Sequence, residues 1–471
     1  MGAIAGVIGK SGQDVSEQTS QMLQTIKHRT LCAAISIGKD KILHRSFPDC
    51  SEKISIICDG AIYNNEALKE KLAHHHFRTD SDAETIAHLV EECGSKLLTE
   101  AVKATLSKLH GVYAFAVLRR DEIVVARDPV GVKPLYLGED AEFVAFASER
   151  KALWRIGIMD VEPLPPGHIA RLTRRGYLIS KAVSLEKPQI RKIDMKNAAL
   201  KLKDALHDAF EVRLRNIKEV GLAFSGGLDS SIAAKIVSDL GKRAVLYTVG
   251  LEGSWDIEIA EDASSELDCD LRIRILSVSD VEAYLPRVIY AIEESDVMKV
   301  GVGLPLYVAA EMAHSDGVDA MLTGQGADEL FAGYARYQRI LRSGGYARLQ
   351  ESLWNDLRTI YKVNLQRDDA VAMASGVELL TPYLDAKVIE VAMSIPPHLK
   401  LSGRGDVLGK RVLRKVAEMI DLSYSIFNRP KKAVQYSSGT ERAIRKLSER
   451  ADKCSNDFLE MIFRRVFDSK Y

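Results

Sequence analysis

The 471-residue chain reads as an α/β protein in two parts: a layered α/β first half, then a doubly wound parallel sheet with a helical extension. Three observations carry that reading. Before residue 180, short β-type runs such as EKISIICDG, GVYAFAVLRR, DEIVVARDPVG and AEFVAFASER recur between turns. Runs that frequent imply layered sheets with helices packed outside. From Val220 the pattern alternates strand and helix, through VGLAF, SIAAKIVSDLG, AVLYTVGL, EIAEDASSELD and LRIRILSV. A βαβ rhythm of this kind requires a parallel sheet covered on both faces. Between the two patterns SLEKPQIRKID is polar and Pro-containing, a linker that places the domains at 1–185 and 195–471.

Taken in order, MGAIAGVIGK is small and apolar from residue 3 onward and reads as a buried strand, whereas most termini fray. Helical stretches are expected near residues 15–28 and 82–107, and PLPPGHIARL marks a turn and a last strand. After the linker, Ala199, Leu202, Leu206 and Phe210 fall at helical spacing, so an amphipathic helix opens the second domain. The chain beyond about residue 280 reads as mostly helical.

Acidic and basic residues balance at 65 each, so no global field recruits nucleic acid or an anionic membrane. No apolar stretch approaches a membrane span and no signal-peptide layout opens the chain, which makes the cytoplasm the expected location. The six cysteines form no CxxC and read as free thiols. His74, His75 and His76 are adjacent, so their side chains should diverge, and the triplet reads as a solvated helix end.

The segment GLAFSGGLDSSIAAKIV carries the chemistry. A strand ending at Phe224 runs through Ser225, Gly226, Gly227, Leu228, Asp229, Ser230 and Ser231 directly into a helix. Two glycines permit a tight turn, and the helix N-terminus offers unpaired N–H groups and a positive dipole end to an anion. Asp229 repels a phosphate unless a divalent cation stands between them, which points to Mg²⁺. LTGQGADELFAGYARY agrees: its glycines let backbone lie against a nucleotide, and Asp328 offers a second metal carboxylate, with helix capping as its alternative role. Lys431 and Lys432, in FNRPKKAVQYSSG, form a loop cation able to meet developing negative charge.

SGGLDSS, GQGADELFAGY, SGVELLTPYLD and RPKK, in this order, resemble the glutamine-dependent asparagine synthetases. CDGAIYNN, FRTDSDAETI, GVYAFAVL, RDPVGVKPLY and FASERKAL are similar to the class II glutamine amidotransferase domain fused to them. The resemblance implies a first domain of the N-terminal-nucleophile type and a second of the ATP pyrophosphatase type. It implies ATP and Mg²⁺ bound by Ala223, Ser225, Gly226, Gly227, Leu228, Asp229, Ser230, Ser231, Val249, Thr323 and Gly324, with Asp229 and Asp328 on the metal. It gives Lys431 and Gln325 catalytic positions, the latter with Glu in the bacterial form. Aspartate or a similar acid, ammonia or an amine donor, and a homodimer are implied in the same way.

The match is eroded at the glutaminase site. The family's Met-Cys-Gly is Met1-Gly2-Ala3 here, and its Asn-Gly-Glu is Asp59, Gly60 and Ala61. Nucleophile and ammonium anchor are gone, and an anionic Asp cannot stabilise an oxyanion. Asp82 still matches a glutamine ligand. The expectation is an amide ligase that forms an acyl-adenylate, with β-aspartyl-AMP the simplest, and takes ammonia rather than self-hydrolysed glutamine. Leu380, where the family has Arg, and DVMKVGVGLPLY depart near the acid site. Two alternatives remain at this stage. One is a β-lactam synthetase-like enzyme, for which Tyr337 and Glu378 could supply a Tyr–Glu pair. The other is a non-catalytic nucleotide-binding regulator.

Overall fold

A computed structural model describes residues 2–44, 54–403, 406, 408–429 and 438–468. The chain divides into two compact units, Met1–Leu185 and Glu186–Lys470.

The first unit holds two sheets. One runs, edge to edge, through Lys41–His44, Cys32–Ile37, Ala3–Gly9, Phe143–Ala147, Tyr136–Glu139 and Val161–Pro163. The other runs through Gly176–Lys181, His168–Thr173, Glu122–Arg127, Gly111–Arg119 and Ser55–Ile62. The opening strand is fully buried, pairing parallel with Cys32–Ile37 and antiparallel with Phe143–Ala147. GVYAFAVLR shows how sequence sorts the layers: successive side chains point to opposite faces of a strand. Ala114, Ala116 and Leu118 enter the core shared with the other sheet, while Tyr113, Phe115 and Val117 meet the helices Asp82–Glu92 and Leu98–Leu106. A third core packs Ser16–Ile26 on the outer face of the first sheet through Met22 and Ile26. The helical stretch expected over 82–107 is thus two helices. Gly94, at φ +61°, lies in the break between them.

The second unit opens with helix Met195–Leu214, capped by the Asp194 side chain accepting from the Asn197 N–H at 3.0 Å. It buries Ala199, Leu202, Leu206 and Phe210, the stripe its periodicity marked. One sheet follows, in the order Asp270–Leu276, Arg243–Leu251, Glu219–Ala223, Ala320–Leu322, Glu378–Leu380, and every pairing is parallel. The last two strands are three residues each and lie in the region read as helical. So short a run carries no period, and only pairing with a neighbour reveals it. No helix among the described residues is long and apolar enough to cross a membrane.

Candidate active site

Glu219–Ala223 and Ala320–Leu322 are adjacent, and the strand order runs outward from them in opposite directions. A switch point of this kind opens a crevice beyond the carboxyl ends of the two strands, where open α/β sheets bind ligands. The two loops singled out from the sequence leave those two ends. In the first, Gly226 has φ +64°, and a Cβ there would stand 2.5 Å from the Ile259 carbonyl oxygen, so a side chain is excluded twice over. Gly227 is the N-cap of helix Leu228–Asp239 and supplies no side-chain cap, which leaves the first-turn N–H groups and the dipole for an anion. Ser230 Oγ donates to the Gly227 carbonyl at 3.1 Å and lies 3.4 Å from Ser225 Oγ. Ser231 Oγ is buried without a hydrogen-bond partner among the described residues.

The second loop closes on the first. A Cβ at Gly324 would sit 3.0 Å from Asp229 Cβ, so the missing side chain is what lets the segments approach. The Thr323 N–H donates to the Leu380 carbonyl at 3.1 Å, and Thr323 Oγ1 accepts from the Gln325 N–H at 3.3 Å. Val249 is buried in the neighbouring strand and Ala223 ends its own strand half-buried. Asp328 does not cap its helix: Gly326 holds the N-cap position of Ala327–Phe331 without side-chain help. Its carboxylate instead meets Lys410, whose Nζ lies 2.5 Å from Asp328 Oδ1 and 2.5 Å from Asp229 Oδ2.

Lys410 is the residue the sequence reading missed. It stands in a left-handed conformation (φ +52°) at the start of helix Arg411–Met419, with only 4 % of its side chain exposed. Lysines before helices are common, and the only signal for this one is a physical need: a buried carboxylate, Asp328, beside a half-buried one, Asp229, requires countercharge. Asp229 Oδ1 is buried and makes no hydrogen bond among the described residues, so the carboxylate pair retains donor capacity suited to a hard cation. Arg414, one turn into the same helix, donates to the carbonyls of Leu408, Gly409, Phe427 and Arg429 and ties the chain on both sides of it together. Lys431 and Lys432 lie outside the described residues.

The departures from the family pattern adjoin one another. Gln325 Nε2 donates to Asp368 Oδ2 at 2.5 Å, and Asn364 Nδ2 approaches both Gln325 Oε1 (3.5 Å) and Glu329 Oε1 (3.2 Å). Asp368 is buried, which pushes its carboxyl up, while Arg367 pairs with it at 2.7 Å and pulls it down. DVMKVGVGLPLY begins helix Val297–Ser315, where a Cβ on Gly303 would meet Val371 at 3.4 Å and Arg367 at 3.5 Å. Tyr337 donates its hydroxyl to Asp356 at 2.7 Å, so it is engaged elsewhere than with Glu378. The Tyr–Glu contact formed here joins Tyr334 to Glu329 at 2.7 Å, and burial raises the Glu329 carboxyl.

In the first unit, Gly2 is buried, and a Cβ there would lie 2.8 Å from the Leu31 carbonyl oxygen and 3.6 Å from Asp59 Oδ1. Asp59 is buried 3.4 Å from the equally buried Lys133 ammonium. Gly60 has φ +130°, and Ala61 pairs with Val112 on the next strand. Asp82 Oδ2 accepts the Ile62 N–H at 2.8 Å, and burial raises its carboxyl. Burial, with Asp59 and Asp82 nearby, pushes the Cys58 thiol far up, and Cys32 is buried donating to the Ile26 carbonyl. Cys58 is therefore held as a neutral thiol.

Two family models match this chain: asparagine synthase over residues 201–347 and 340–465, and a glutamine amidotransferase domain over 35–155. A Methanocaldococcus jannaschii protein provisionally named glutamine-hydrolysing asparagine synthetase 1 is 37% identical over 507 residues, spanning 96% of this chain and 90% of its own. Asparagine synthetase 2 of Lotus japonicus is 30% identical over 385 residues, 77% of this chain and 62% of its own length. Solved structures match more distantly. A glutamine phosphoribosylpyrophosphate amidotransferase from B. subtilis aligns at TM-score 0.35 and 20% identity, over 53% of this chain and 67% of its own. The family models and the sequence relatives define a ligase-type fusion of an amidotransferase-like domain with a synthetase domain. The chain belongs to the asparagine synthase family.

Proposed function

We propose that the chain is an ATP-dependent amide ligase that activates the side chain of aspartate and amidates it with ammonia. The observation that carries this reading is the meeting of Asp229 and Asp328, from the two switch-point loops, on Lys410. The uncapped helix end after Gly227 and the Ser225 to Ser231 hydroxyls suit the pyrophosphate portion of ATP. Asp229 and Asp328 would hold Mg²⁺, which supplies neutralisation of the phosphate charge. Lys410 bridges the two carboxylates, offsets their mutual repulsion and adds a fixed positive charge to the site.

In the proposed reaction a carboxylate oxygen of aspartate attacks the α-phosphorus of ATP. The bond to the α–β bridging oxygen breaks, and pyrophosphate leaves. Ammonia then attacks the acyl carbon, the acyl–oxygen bond breaks, AMP leaves, and the nitrogen loses a proton. No protein nucleophile takes part, so positioning and charge do the work.

Ammonia is favoured over glutamine because the Asp59–Lys133 ion pair occupies the region where the family places oxyanion and ammonium contacts, and Ala61 offers no carboxylate. A homodimer, resting on the resemblance, and a cytoplasmic location, expected of a chain with no apolar stretch of membrane-span length, complete the proposal.

Pyrophosphate and asparagine are to be followed with Mg-ATP and aspartate, using ammonium or glutamine as donor. Asparagine from ammonium alone is the expected result. Glutamate release with glutamine would overturn the ammonia reading. Absence of pyrophosphate with either donor would remove aspartate and direct attention to the acids that Gln325 and Asp368 could admit.

A further inference from the structure

The turn after helix Asn65–Lys71 brings His74 and His75 against the end of helix Asp82–Glu92. Adjacent histidines on regular structure diverge, but these two lie in a turn, and both rings reach Glu92 Oε2, at 2.9 and 3.0 Å. His88, Glu91 and Glu92 stand at i, i+3 and i+4 on one face of the second helix. His75 packs on His74 and on His88 with ring centroids 4.5 Å apart in each case. Donor atoms of His75, His88 and Glu91 all lie within 4.8 Å of one another, and so do those of His74, His75 and Glu92.

The second, independent observation is His88. Its side chain is 2 % exposed, yet among the described residues neither ring nitrogen has a well-aligned hydrogen-bond partner. The nearest carboxylate oxygens are Glu91 Oε2, 3.4 Å from Nδ1, and Glu84 Oε1, 3.8 Å from Nε2. Glu84 also accepts from the Arg78 N–H and the Thr79 N–H at 2.7 Å each, which fastens the chain just after the histidines. Phe77 meets the His88 ring edge-on at 4.7 Å and walls the cluster. Glu91 Oε1 is likewise buried without a hydrogen bond among the described residues. A buried imidazole and a buried carboxylate oxygen left unbonded beside a third donor are costly as they stand, and a metal ion would satisfy them together.

We propose that His75, His88 and Glu91 bind one divalent transition-metal ion of the zinc class, with His74 and Glu92 beside it on the solvent side. Imidazole nitrogen with carboxylate oxygen is the donor set such ions prefer, and Mg²⁺, which favours all-oxygen sites, is disfavoured here. The site lies in the amidotransferase-like unit and does not depend on the nucleotide reading.

The test uses the full chain stripped with chelator and titrated with Co²⁺ in excess Mg²⁺, following visible d–d absorption, and with Zn²⁺ by calorimetry and thermal melting. One equivalent of tight binding and a raised Tm are expected for the wild-type chain. His75→Gln, at a partly exposed position shared by both donor sets, should lose affinity by more than the ~10–100-fold that an outer-shell partner costs. Glu91→Gln should do the same, and guards against a folding defect in either variant, while Asp229→Asn should leave the Co²⁺ spectrum unchanged. Failure of the wild-type chain to bind, or an unchanged spectrum in folded His75→Gln and Glu91→Gln, overturns the proposal.

Discussion

Lys410 shows how much one residue can hold. Its ammonium separates two carboxylates that would otherwise repel in a mostly buried site. Lys410→Met should lower pyrophosphate release by about 10²–10³-fold, the range for removing one preorganised charge or donor. Lys410→Arg should restore thermal stability more than turnover, because a planar guanidinium keeps the charge but not the compact ammonium geometry. Equal recovery of both would show that Lys410 acts through folding alone. In the first unit, Lys133→Met removes the ammonium 3.4 Å from the buried Asp59 carboxylate and should destabilise the chain by up to roughly 3–5 kcal/mol, measured by denaturant unfolding. Adding Asp59→Asn should return part of that loss, and a strictly additive double variant would refute the coupling.

At the scale of elements, the proposed phosphate loop depends on backbone that only glycine supplies. Gly226→Ala puts a side chain at φ +64° and 2.5 Å from the Ile259 carbonyl, so the loop must move. The left-handed conformation alone costs about 1–2 kcal/mol, and the displaced N–H groups should weaken ATP binding more than they weaken overall folding. Calorimetry with ATP beside a thermal melt separates the two; unchanged ATP affinity would show that the loop does not cradle phosphate. This loop was legible in the sequence because its features are local: a strand, two glycines, hydroxyls and a helix start within a dozen residues. The strands Ala320–Leu322 and Glu378–Leu380 were not, because three residues have no period of their own and exist through the sheet they extend. The Tyr337 partner was equally out of reach: Asp356 and Glu378 are both carboxylates downstream, and the break at Gly345 (φ +69°), which folds the second half of Ala335–Ile360 back on the first, decides which one the hydroxyl meets.

Over the whole molecule, stability and function are weighed against each other at buried charge. Lys400 is fully buried, with only Met393 Sδ within reach at 3.9 Å, and burial lowers its ammonium from 10.5 to about 7. Across that window the unfolded chain holds the extra proton, so this group makes stability rise with pH from about 7 to 10.5 and leaves it flat below. Lys400→Met should therefore stabilise the chain at neutral pH by roughly a few kcal/mol, at about 1.36 kcal/mol per pKa unit. The gain should shrink toward pH 10.5, and a gain independent of pH would refute the buried-ammonium account. By itself the sequence determined the two-part α/β architecture, the glycine turn from strand to helix that carries Asp229, and the departure from the Asn-Gly-Glu pattern at Asp59 to Ala61. The first two are written in periodicity and turn chemistry, and the third in contiguous residues compared with the family they resemble. Only the tertiary structure decided that Lys410 bridges Asp229 and Asp328, that Gln325 engages Asp368, that Lys133 offsets Asp59, and that His75 meets His88. In those cases the partners are up to 181 residues apart. Charge and burial choose among many equivalent side chains, and that choice is made only when the elements pack.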